Sequence, residues 1–188
     1  MNTLSASQAM ANAGIVQEGD PVLVRPARPF ELPAEADEAR CVLRELHAAV
    51  GRVRQLHTFG KGMGLAAPQI GIDRSAAVVF PPEPGAEPIV LLNATVAESS
   101  EEEDEQYEGC LSFFDVRGLV PRPLSIVVAH SDLDGSTRLS RYSRGTARLA
   151  NHEVDHLGGV LYRDRMRPGL EVIPVDEYRG TGQRWTYG

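Results

Sequence analysis

The chain lacks any stretch approaching ~18 consecutive apolar residues, so no membrane-spanning helix is expected. It has little cysteine. Cys41 and Cys110 are the only two, which argues against a disulfide scaffold and for a reducing compartment. It is also short of positive charge. Against 26 acidic residues stand 19 Lys and Arg, and the net charge of −7 gives no electrostatic footprint for nucleic acid. Arg25 is the first basic residue, so the opening has neither the charged start of a signal peptide nor the arginines of a transit peptide. There is no internal repeat. These absences lead to the expectation of a cytoplasmic protein with no membrane attachment and no direct nucleic-acid binding.

What is present suits one domain. The 188 residues are enough for a core and cramped for two, and 42% apolar with 24% charged residues is ordinary for a globular chain. Residues 1–19 are rich in Ala, Ser, Asn and Gln without a period, and read as a flexible or loosely packed arm before a catalytic domain over 20–188. Asp20 to Val24 reads as a short extended piece, followed by the prolines Pro26, Pro29 and Pro33. From Ala34 to about His57, Val42, Leu43, Leu46, Val50 and Val53 recur at helical steps, with Glu35, Asp37 and Glu38 placed to favour the dipole of the first turn. Cys41 is expected to be a small core or half-buried residue of this helix.

Short strands follow at Ala76–Phe80, Ile89–Leu92, Ile126–His130 and Thr137–Arg141. The seven acids between Glu98 and Glu108 read as a solvated loop. Val160–Tyr162 and Glu171–Val175 are further short strand candidates, and the tail from Glu177 reads as extended. Many short strands with two helices, in no βαβ alternation, indicate an α+β fold.

One stretch carries chemistry. Asn151-His152-Glu153-Val154-Asp155-His156 places two histidines four residues apart, on one face of a helix expected over Arg144–Leu157. Two imidazoles there can hold one metal ion, with Glu153 beside it to handle the proton of a water. A third ligand is needed. Tyr162 stands where one class of metalloprotease has a third histidine, and is a poor ligand. Glu171 follows Pro168-Gly169, with no helix signal to carry it. Cys110, in a Gly-Cys-Leu context, remains; a thiolate with two imidazoles leaves one position open.

Three stretches now resemble the three motifs of the peptide deformylase family. They are Gly62-Met63-Gly64-Leu65-Ala66-Ala67-Pro68-Gln69, then Glu108-Gly109-Cys110-Leu111-Ser112, then His152-Glu153-Val154-Asp155-His156-Leu157. Order and spacing also match, and the likeness covers roughly Asp20 to Met166. The resemblance implies antiparallel sheets surrounding the motif helix. It also implies removal of the formyl group from N-formylmethionine of nascent polypeptides, giving formate and a free amine. Metal-bound hydroxide would attack the formyl carbonyl, with Glu153 as general base and then acid. The side-chain amide of Gln69 and the backbone N–H of Leu111 would hold the oxyanion. The peptide would lie extended beside Gly64 and Gly109, with Met63 and apolar side chains of the motif helix lining the methionine pocket.

Asp155 and Arg122 would form an ion pair that fixes the helix. The resemblance implies Fe2+ in the cell, with Zn2+, Ni2+ or Co2+ as substitutes, and places the work at or near the ribosome. The sequence departs from the family pattern at Asn151, at Phe114, in the density of acids before Glu108, and in a tail without a long helix. Two other readings stay open: a zinc peptidase using His152, His156 and a carboxylate, and an inactive deformylase-like binder of nascent chains.

Overall fold

The computed structural model describes residues 5–180. Among them, four helices form: α1 (Ala6–Asn12), α2 (Ala36–Leu56), α3 (Arg144–Leu157) and α4 (Val175–Gly180). The strands are β1 (Met63–Ala66), β2 (Ala76–Phe80), β3 (Ile89–Ser99), β4 (Glu103–Glu108), β5 (Val116–Pro123), β6 (Ser125–Ser131), β7 (Thr137–Ser143) and β8 (Ile173–Pro174). They make a five-stranded sheet in the order β1-β2-β3-β6-β7 and a three-stranded sheet in the order β4-β5-β8. Every pairing is antiparallel. The α+β architecture is the expected one.

The position of α3 follows from the side-chain alternation of β2. Successive strand residues point to opposite faces, yet Ala76, Ala77, Val78 and Val79 are all buried, so both faces of the sheet are covered. Ala76 and Val78 pack with Val42, Leu46, Val50 and Val53 of α2. Ala77 and Val79 pack with Ala147 and Ala150 of α3. The small alanines let α3 lie close to the large sheet. Its polar side carries His152 and His156 toward Glu108 of the small sheet and Cys110, while Glu153 lies against Gly64 of β1, at the edge of the large sheet. The motif helix is therefore buried between the two sheets.

Several local expectations are corrected. Helix α2 begins two residues later than the apolar period suggests. Cys41 lies on its exposed side, beside Arg44 rather than in the core. Residues 21–24 form a 3-10 turn, capped by the Asp20 carboxylate accepting from Val22 N at 2.9 Å, not an extended piece. Strand β3 runs to Ser99 rather than stopping at Leu92. Asn93 takes a left-handed φ of 52° at an irregularity in the pairing, and its amide bonds both the N–H and the carbonyl of Phe30.

The acidic run is mostly strand. Arginines distant in sequence compensate it: Glu103 and Glu105 meet Arg167, and Asp104 meets Arg148. Tyr162–Arg165 is a 3-10 turn instead of a strand, and the Glu171–Val175 strand shrinks to β8. The supposed extended tail enters helix α4, and residues 181–188 lie outside the described ones.

The N-terminal arm is also corrected. From Ser5 onward it is packed rather than loose. Ser5 and Gln8 form a capping box on α1. Asp115 accepts from Ser5 Oγ and from Ser7 N, each at 3.0 Å. Met10 and Ile15 are each 2% exposed. Further on, Val16 N donates to Gln69 O and Glu18 N to Ser112 O, both at 2.8 Å. A helix of two turns leaves little periodic signal, and its partners are distant in sequence. Replacing Met10 by Ala removes a buried side chain, and is expected to lower unfolding stability by about 2–3 kcal/mol in urea titration. A loss under about 0.5 kcal/mol would mean the arm is not part of the core.

Candidate active site

His152 and His156 lie one turn apart on α3, with ring centroids 5.0 Å apart. Cys110 sits between β4 and the 3-10 turn Leu111–Phe113, with its backbone extended. Ligand atoms of Cys110, His152 and His156 all lie within 4.8 Å of one another, and all three residues are buried. Cys110 Sγ is 3.2 Å from His156 Nε2. The other candidates for third ligand fall elsewhere. The Tyr162 ring packs 4.8 Å from Phe113 and 6.1 Å from His152, and burial raises the pKa of its hydroxyl. Glu171 is exposed and outside the cluster.

Gln69 lies on the 3-10 turn Ala67–Ile70, which Gly71 ends at a left-handed φ of 77°. Its Oε1 accepts from Ala66 N at 2.9 Å, which fixes the amide orientation. Its Nε2 then points at Cys110 Sγ and Ser112 Oγ, 3.4 Å from each. Leu111, with its backbone N–H, directly follows Cys110.

Glu153 is 2% exposed, and its Oε2 has no hydrogen-bond partner among the described residues. Gly64 is needed beside it, because a Cβ there would collide with the Glu153 carboxylate. Gly109 is likewise constrained by Arg117, whose guanidinium carbon would lie 2.6 Å from such a Cβ. These groups open into a cavity of about 370 Å³, whose walls include Met63, Gly64, Gly109, Leu111, Phe114 and Leu149. Leu149 is the apolar side chain of the motif helix in that wall, and Arg148 beside it is a charged one that the sequence reading did not anticipate.

Burial sets the charges here. It pushes the Glu153 carboxyl up to about 7. It holds His156 well below its ordinary value, in the neutral form that can ligate. Burial opposes charge on His152 too, but its hydrogen bonds to Cys110 and Glu108 outweigh burial and raise its pKa. A metal ion held at His152 would compete with a proton there, and its affinity would fall on acidification.

Glu108 was quoted only as part of a motif, and structurally it is central. Burial opposes its charge, but Arg122 and His152 overcome that and hold its pKa far below 4.5. Its Oε2 lies 3.0 Å from His152 Nδ1, which leaves Nε2 of that ring for a metal. Arg122 grips the carboxylate with Nε at 2.9 Å and Nη2 at 3.0 Å. The Nη1 of Arg122 reaches Asp155 at 2.5 Å and Asn151 at 3.2 Å, so the suggested Arg122–Asp155 pair is present. No sequence signal marks Glu108 as inward, because the acids around it look alike. Arg148 also reaches Glu108, and nothing in the sequence distinguishes it from a solvent-facing helix charge.

Two buried imidazoles and a thiol beside an unpartnered carboxylate, on a helix enclosed by antiparallel sheets, define a metal-dependent hydrolase. A family model for polypeptide deformylase matches residues 12–171. The chain belongs to the peptide deformylase family. Among its relatives, the peptide deformylase of Thermomicrobium roseum is 37% identical over 177 residues, covering 89% of this chain and 94% of that protein. Peptide deformylase 2 of a Nostoc species is 33% identical, covering 88% and 92%. The crystal structure of Arabidopsis thaliana peptide deformylase 1B in complex with an inhibitor superposes with a TM-score of 0.72 at 31% identity, covering 88% of this chain and 86% of that one. The class I type b enzyme of Acinetobacter baumannii gives 0.70 at 30% identity, covering 81% and 97%.

Replacing Arg122 by Ala takes a buried partner from both Glu108 and Asp155 and should cost about 3–5 kcal/mol, read by denaturant unfolding. The Glu108 contribution has a defined pH window. Its folded pKa is depressed, so its stabilisation is fully present above 4.5 and is lost as pH falls below that. The stability gap between the protein and its Glu108→Gln variant should therefore narrow from pH 5 toward pH 3. A gap that widened would contradict the assignment.

Proposed function

We infer that this chain is a metal-dependent hydrolase that removes the N-formyl group from N-formylmethionine at the start of nascent polypeptides, releasing formate. The observation that carries this reading is the convergence of Cys110, His152 and His156 beside the buried Glu153, in a cavity that Gln69 and Met63 border.

One sulfur and two nitrogen donors fit a divalent transition-metal ion and do not fit the oxygen-seeking Mg2+ or Ca2+. We assign Fe2+ as the native ion, with Zn2+, Ni2+ or Co2+ able to take its place. When bound, the ion supplies a Lewis acid and lowers the pKa of water from about 15.7 toward ~7.

The chain's own residues do the rest. Glu153, with its pKa near 7 and Oε2 free of partners, takes a proton from the attacking water. The water oxygen bonds to the formyl carbon, and the charge that develops on the carbonyl oxygen is held by Gln69 Nε2 and the Leu111 N–H. The C–N bond then breaks, and Glu153 returns its proton to the leaving amine nitrogen. The lock on Gln69 Oε1 from Ala66 N means that the donating end of the amide needs no reorientation.

The substrate chain is read as an added strand. Strands β1 and β4 are each an outer strand of their sheet, and Gly64 of β1 and Gly109 next to β4 offer close backbone approach. Main-chain pairing is blind to most side chains, which suits an enzyme that meets many N-termini. The methionine side chain would lie against Met63 and Leu149. No helix among the described residues is long and apolar enough to cross a membrane. We place the enzyme in the cytoplasm, working on chains as they leave the ribosome, without RNA contact of its own.

Formate release from formyl-Met-Ala by protein loaded with Fe2+ or Ni2+ tests the reading. Glu153→Ala is expected to cut kcat by about 10²–10⁴ with the metal retained. Gln69→Ala should cut it by about 10²–10³. Cys110→Ser should lose most of the metal, whereas a peptidase using a carboxylate as third ligand would keep it. No turnover by folded, metal-loaded protein would exclude deformylase activity and favour a binder of nascent chains.

A further inference from the structure

Arg148 has no place in the chemistry above, yet it is among the most heavily bonded side chains of the site. It lies on α3 four residues before His152, and is 3% exposed. Its Nη1 donates to Glu108 Oε1 at 2.6 Å and to the Val120 carbonyl at 3.0 Å. Its Nη2 donates to the Asp104 carbonyl at 3.0 Å and to Asp104 Oδ1 at 2.7 Å. One guanidinium thus ties the helix to both β4 and β5. A buried guanidinium is costly to desolvate, and retaining it in a pocket wall needs a compensating interaction.

We propose that Arg148 is a positioning residue for the metal centre: through Glu108 it fixes the orientation of His152, and the acidic strand supplies Asp104 to hold Arg148 in place. The inference rests on the reading of Cys110, His152 and His156 as metal ligands. The argument is geometric. Arg122 fastens α3 to the small sheet at Asn151 and Asp155. Arg148 fastens it one turn before Asn151 and two turns before Asp155, about 4.5 and 10 Å further back at ~1.5 Å per residue. His152 lies between the two attachments. The packing of Ala147 and Ala150 sets where the helix lies, and the guanidiniums of Arg122 and Arg148 set how its polar face meets Glu108.

Glu108 reports both attachments. Its Oε1 takes Arg122 and Arg148, its Oε2 takes Arg122 and His152, and a carboxylate has about four acceptor sites. Removing Arg148 leaves Oε1 with only Arg122 Nε, so the carboxylate that orients the His152 ring is held from one side alone. The proposal also accounts for one acid of the dense run. Asp104 faces Arg148, whereas Glu103 and Glu105 face outward to Arg167.

The test uses Co2+- and Zn2+-loaded protein and does not depend on turnover. Arg148→Met keeps the volume and removes the donors. It is expected to lose metal to a chelator about tenfold faster, in line with partners that orient a ligand, and to change the visible spectrum of the Co2+ form. Arg148→Lys should recover part of both. Asp104→Asn, at a half-exposed position, should shift both in the same direction by less.

If Arg148→Met alters only the unfolding midpoint, with chelator rate and Co2+ spectrum as in the unmodified protein, the proposal is overturned. If that variant does not fold, Asp104→Asn decides, and an unchanged chelator rate there overturns it. Unmodified protein that holds no metal would instead sink the proposed function, so the two failures are distinguishable.

Discussion

Four hydrogen bonds end on the carboxylate of Glu108, two from Arg122, one from Arg148 and one from His152. That single buried charge joins β4, β5 and α3. Isolated, it would be protonated, since burial alone drives a carboxyl upward. Arg122 and His152 reverse this and keep it anionic. As an anion it accepts a hydrogen bond from Nδ1–H of His152, and so leaves Nε2 as the ring nitrogen free to act as a donor. The candidate metal site thus rests on an ion cluster, two members of which, Glu108 and Arg148, also border the cavity.

The apolar part of the fold serves the same end. Helix α3 is covered by the alanine-rich face of the large sheet on one side and by the ion cluster on another. The helix can approach the sheet closely because Ala147 and Ala150 are small. It cannot retreat without exposing Asp155 and Glu108 unpaired. The N-terminal segment adds a third constraint through the backbone. Val16 and Glu18 bond the carbonyls of Gln69 and Ser112, so the turn that carries the amide and the turn that follows the thiol share one support.

Helices α2 and α3 and the histidine motif were legible in the sequence because their signals are local. Val42, Leu46, Val50 and Val53 mark α2 by their spacing, and His152 and His156 mark a metal face by theirs. The acidic strand was not legible. Glu103, Asp104 and Glu105 look solvated until Arg148 and Arg167 arrive from positions more than forty residues away. The arm failed for a related reason: α1 is only two turns long, and the Met10 environment is built by other segments.

The sequence by itself determined which donors exist and which helix presents two of them, since an i, i+4 pair shares a face wherever that helix lies. It also determined the family, through three short motifs in the right order. Only the tertiary structure decided that Glu108 rather than another acid orients His152, that Arg148 enters the pocket wall, and that residues 5–19 brace the site. The physical reason is that burial and charge pairing are relations between distant residues. A lone acid or arginine in a sequence carries no mark of the partner that will make its burial tolerable.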